Sequence, residues 1–64
     1  MIPKIKSYKT EWETETKSKY EMLADMLDAD AEEMSPRSPR ILQCVEQSWH
    51  GYHYLIAIIV WEQR

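Results

Sequence analysis

The sequence predicts an α+β domain of order βαββ, with one helix on a small, mainly antiparallel three-stranded sheet that assembles as a homo-oligomer. Three observations carry this expectation. Trp12, Thr16, Tyr20, Leu23, Leu27, Ala31 and Met34 recur at spacings of three and four, the period of one helix face. The stretch Tyr52–Trp61 is rich in β-branched and aromatic residues, as a strand requires. In that strand Tyr52, Tyr54, Ile56, Ile58 and Val60 point one way, and His53, Leu55, Ala57, Ile59 and Trp61 the other. Both faces are apolar. One helix covers only one of them, so a second copy is the expected cover for the other, with sheet faces or strands in contact.

Taken in order, residues 2–8 are short, mixed and rich in lysine, which fits an edge strand; Pro3 is tolerated there at the strand start. Thr10 and Glu13 form a capping box, and Glu11 adds charge suited to a helix N-terminus. The helix is therefore expected over 11–32. Lys17, Glu21, Asp25, Asp28 and Glu32 form its solvent face. Asp28, Asp30, Glu32 and Glu33 crowd the C-terminal end, where the macrodipole disfavours acids. That end is expected to fray, or to meet a cation or a basic partner. Met34–Arg40, with its tandem Ser-Pro-Arg, reads as a stiff loop. Ile41–Ser48 reads as a strand, Trp49-His50-Gly51 as a turn, and the last two strands as an antiparallel hairpin.

A chain of 64 residues is read as a single domain, 1–64. Such a domain buries only about 60% of its unfolded surface. With one cysteine, no internal disulfide is available to stiffen it, and oligomerisation is the common remedy. The formal charge is −3, which argues against general nucleic-acid binding. The charge is uneven. Residues 1–34 carry −4 and residues 35–64 carry +1, so the second half suits an anion. The longest apolar run, Leu55–Trp61, is far below the roughly 20 residues of a membrane helix. No apolar signal region is visible near the start, so a cytoplasmic protein is expected, in the host cytoplasm if the chain is viral.

Catalysis and metal binding find little support. His50 and His53 differ by an odd number and straddle the turn, and no second cysteine completes a zinc pattern. Cys44 sits inside a strand and reads as a small buried hydrophobe. Ser48 lacks a nucleophile elbow. The acidic helix face reads as solvated, because paired catalytic carboxylates need a cleft. No enzyme and no cofactor are expected.

The polar feature with most chemistry is the Ser-Pro-Arg repeat. Arg37 and Arg40 offer planar forks for phosphate, and Ser38 adds a hydroxyl. Trp49, His50 and Tyr52 lie at the hairpin turn, where rings stack on bases. In an oligomer, a loop from one subunit can meet a turn from another. The expected ligand is a small phosphorylated molecule such as a cyclic nucleotide, held by Arg37, Arg40, Ser38, Trp49, His50 and Tyr52. The rival reading is a protein-interaction module whose acidic helix binds a basic host protein.

A lysine-bearing first strand, an acidic helix and a closing run Tyr54-Leu55-Ile56-Ala57-Ile58-Ile59-Val60-Trp61-Glu62 together resemble two groups of small proteins. One is the short sporulation-associated proteins of bacilli. The other is the compact oligomeric phage proteins that sequester immune signalling nucleotides. The resemblance spans most of the chain by pattern and transfers no individual residue. It implies a non-enzymatic bacterial or phage role: a sponge for a signal, or a sporulation-associated accessory protein.

Overall fold

The computed structural model of the protein describes residues 3–63. It holds β1 (Lys4–Lys9), α1 (Lys19–Met34), β2 (Ser38–Trp49) and β3 (Tyr52–Glu62). The sheet order is β1-β3-β2, with both pairings antiparallel. The α+β, βαββ architecture is therefore as expected. The expected start of the first strand at Ile2 lies outside the described residues.

β3 is central because it has the most to bury. Leu55, Ala57, Ile59 and Trp61 are wholly buried on one face. Full burial of a large apolar side chain contributes about 1.5–3 kcal/mol. Leu23 and Met34 of α1 and Tyr8 of β1 complete this core, with Met26 and Leu27 packed at its margin. A chain of polar contacts locks the layers together. Trp61 Nε1 donates to the Tyr8 hydroxyl at 3.1 Å, and that hydroxyl donates to Asp30 Oδ2 at 2.6 Å. Lys6 Nζ reaches the same oxygen at 2.6 Å.

The helix starts at Lys19 and not at residue 11, and Thr10 does not cap it. Thr10 instead continues the sheet. Its N–H donates to the Leu55 carbonyl at 3.0 Å, and its Oγ1 accepts from the Leu55 N–H at 2.9 Å. Glu13 N–H then donates to the His53 carbonyl. Ser18 is the actual N-cap, its Oγ accepting from Glu21 N–H at 3.1 Å. Glu13 still serves the helix from a distance, accepting from the Lys19 N–H at 3.2 Å. Trp12 and Thr16 therefore lie outside α1, and Tyr20 and Ala31 are exposed. The C-terminal end does not fray at Glu32: α1 runs to Met34, whose side chain is buried, while Lys6 and Tyr8 hold Asp30.

The loop at 34–40 is shorter than expected. Ser38, Pro39 and Arg40 already pair with Glu62, Trp61 and Val60. Leu42 is the extra residue of a bulge between Ile41 and Gln43. Proline is tolerated here because β2 is an edge strand. The edge position also corrects the reading of Cys44, which is exposed. The hairpin turns at His50 (φ 50°) and Gly51 (φ 82°). Positive φ at both central residues is the type I′ geometry that matches strand twist.

Candidate functional site

Antiparallel partners share a sheet face, so the register sorts every strand residue. Opposite the helix, an open face carries Ile5, Ser7 and Lys9 from β1. β3 adds Tyr52, Tyr54, Ile56, Ile58 and Val60. β2 adds Arg40, Gln43, Val45, Gln47 and Trp49. Ile5, Val45 and Ile56 are exposed there. On the same face Val60 is buried and Ile58 half-buried.

The hairpin end of that face is aromatic. The segment between β1 and α1 runs alongside β3 and brings Trp12 onto it. Trp12 stacks on Trp49 with centroids 6.1 Å apart and planes at 20°. It lies 5.6 Å from Tyr52, and meets Tyr54 edge-on at 5.0 Å. Trp49 also receives the His50 ring edge-on at 4.1 Å. These offset and edge-to-face contacts follow the quadrupoles of the rings. The cluster is not closed: Trp49 is 59% exposed, Tyr52 54% and Trp12 40%. Beside it opens a cleft of about 160 Å³ lined by Lys9, Thr10, Glu11, Trp12 and Tyr54. Lys9 Nζ stands 5.2 Å above the Tyr54 ring.

The structure thus brings together Trp49, His50 and Tyr52 of the expected site. It places Arg37, Ser38 and Arg40 at the other end of β2. Nine residue steps of strand, about 30 Å, separate Arg40 from Trp49 within one chain. Arg40 is exposed and pairs with Glu62. Sequence reasoning missed Trp12, Tyr54 and Lys9 as neighbours of this cluster. The available signal was the alternation of Tyr52 and Tyr54, which places both rings with Trp49. Trp12 was hidden by the false capping box at Thr10.

Around Glu46, on the helix side of β2, Tyr20 donates to the carboxylate and Lys19 Nζ lies 3.6 Å away. The Tyr20 hydroxyl holds the Glu46 carboxyl below its ordinary value, and Glu46 in turn raises the Tyr20 phenol. This pair joins α1 to the edge strand. Among the described residues no three His, Cys, Asp or Glu side chains gather as metal ligands, and no helix is long and apolar enough to cross a membrane.

Comparison with known protein families, with characterised proteins and with solved structures found no match to this chain. Its chemistry is read from its own residues. Stacked, half-open rings bind flat π-systems. The cleft beside them is lined by one cation, Lys9, and one carboxylate, Glu11.

Proposed function

We propose that the protein is a non-catalytic, homo-oligomeric binding protein of the cytoplasm that sequesters a small anionic ligand with a flat ring, a description best matched by a cyclic nucleotide signal. The single observation that supports this reading is the Trp12–Trp49–Tyr52 cluster, which leaves large ring faces exposed beside Lys9. A base stacks on them, and stacking is worth about 1–3 kcal/mol per base. Capture without turnover works by mass action, so affinity and abundance suffice. The phage anti-defence role implied by the resemblance fits such a sponge.

Native mass spectrometry with a panel of cyclic and linear signalling nucleotides tests this reading. A defined oligomer gaining whole numbers of one nucleotide is the expected result. Trp49→Ala should then weaken uptake about tenfold or more. An oligomer that takes up no member of the panel sinks the reading.

A second reading rests on α1, whose exposed surface carries Glu21, Asp25, Asp28, Glu32 and Glu33, with no basic residue in its last turn. That surface suits a basic protein partner. Such binding weakens steeply with salt, whereas stacking in the cleft weakens little.

A further inference from the structure

The two edges of the sheet are built differently. β1 carries Lys4, Lys6 and Lys9, the usual guard against pairing with another chain. β2 is longer, and from Ile41 to Trp49 it holds a single charge, Glu46. Among the described residues it pairs with β3 alone. The two-residue turn makes Trp49 and Tyr52 a hydrogen-bonded pair. Gln43, Val45, Gln47 and Trp49 therefore turn their main-chain groups toward β3. Cys44, Glu46 and Ser48 turn theirs outward, past the end of the sheet.

We infer that two copies of the chain join along β2, antiparallel, about a two-fold axis at Val45, and that this sets Arg40 of each copy beside Trp49 of the other. The choice of axis follows from charge and from how much of the strand is paired: centred on Gln47, the ladder is limited to Val45–Trp49 of each copy. Centred on Glu46, the pairing opposes two carboxylates on one face, which is destabilising. Centred on Cys44, it sets Glu46 against the apolar Ile41–Leu42 bulge. Centred on Val45, it opposes valine with valine and Gln43 with Gln47. The bulge then decides the outcome. Ile41 and Leu42 together occupy one step of the ladder, so the next residue, Arg40, stands opposite Trp49 of the second copy. Register with β3 puts both on the open face. Among the described residues, Arg40 is held by an exposed pair with Glu62. Such pairs are weak, so the guanidinium is available to a phosphate or to the indole face. The two-fold generates two equal sites, each with the rings of one copy and the arginine of the other. This deepens the nucleotide reading and rests on it for the ligand, while the pairing itself rests on the strand edge.

Directly opposed residues of a non-hydrogen-bonded pair have Cα atoms about 4.5 Å apart, within disulfide range. Val45→Cys in a Cys44→Ser background should therefore give a disulfide-linked dimer on mild oxidation. Gln47→Cys in the same background should not, its two copies lying four residues apart along the pair. No dimer from Val45→Cys, or equal linking by both, overturns the pairing. The ligand half is read by mixing chains, with the nucleotide found in the mass-spectrometric panel as probe. Arg40→Ala and Trp49→Ala should each bind about tenfold more weakly alone. Mixed, they should regain a class of sites with wild-type affinity, because the heterodimer holds one intact site. No recovery on mixing overturns the shared site. Cross-linking at Val45 with no nucleotide taken up supports the pairing and overturns the ligand reading.

Discussion

Tyr8 gives its hydroxyl proton to Asp30 across 2.6 Å while accepting the indole N–H of Trp61 at 3.1 Å. One oxygen thus joins β1, α1 and β3. Tyr8→Phe keeps the ring and removes that oxygen, leaving a buried indole donor without a partner. An unsatisfied buried group costs about 1–3 kcal/mol. Urea unfolding followed by tryptophan fluorescence should show a loss of that size. An unchanged midpoint would mean that the indole finds another acceptor.

The Asp30 carboxylate that accepts this proton contributes to the pH dependence of the fold, alongside the Glu46–Tyr20 pair. The Lys6 ammonium, and then the Tyr8 hydroxyl, hold the Asp30 carboxyl below its ordinary 3.8. A carboxyl lowered in the folded state adds stability above its unfolded value, and that stability is lost as pH falls through the folded value. At the alkaline end the signs reverse. The hydrogen bond to Asp30 raises Lys6 above 10.5, and burial raises Tyr8 above 10.0. Their contribution is complete below pH 10.0 and declines above it. Denaturation curves across pH should show both limbs, and Asp30→Asn should flatten each. Limbs unchanged by Asp30→Asn would assign them to other groups.

The strand residues were legible because they obey one rule: Leu55, Ala57, Ile59 and Trp61 alternate, and all four are buried. The helix start was not, because Thr10-x-x-Glu13 and Ser18-x-x-Glu21 carry the same capping signature. Local chemistry does not separate them. Thr10 is claimed by Leu55, 45 residues away. The aromatic cluster was half legible for the same reason, since Trp49 and Tyr52 are near in sequence and Trp12 reaches them only through that displaced segment.

Two substitutions separate those roles. Ser18→Ala removes the cap of α1 and should cost about 1 kcal/mol, with amide exchange quickening in the first helical turn. Thr10→Val keeps the shape and removes the acceptor of the Leu55 N–H. It should cost about 1–3 kcal/mol and quicken exchange at Leu55 while leaving Glu21 unaffected. If Thr10→Val instead loosened the first helical turn, Thr10 would be the cap after all.

The turn offers the last prediction. Gly51 has φ 82°, and no atom lies within 4 Å of where a Cβ would stand, so Gly51→Ala is opposed by backbone strain alone. The left-handed conformation costs a non-glycine residue about 1–2 kcal/mol. His50, at φ 50°, already bears that strain. His50→Asn converts the pair to Asn-Gly, the preferred type I′ sequence, and should raise the melting temperature. It also removes the imidazole that packs on Trp49 at 4.1 Å. Stability and ligand capture should therefore part: the variant melts higher, and its indole fluorescence and nucleotide affinity change if the His50 ring helps to hold Trp49 in its stacked position. A variant that melts higher and binds as before would remove His50 from the site and leave Trp12 as the residue that positions Trp49.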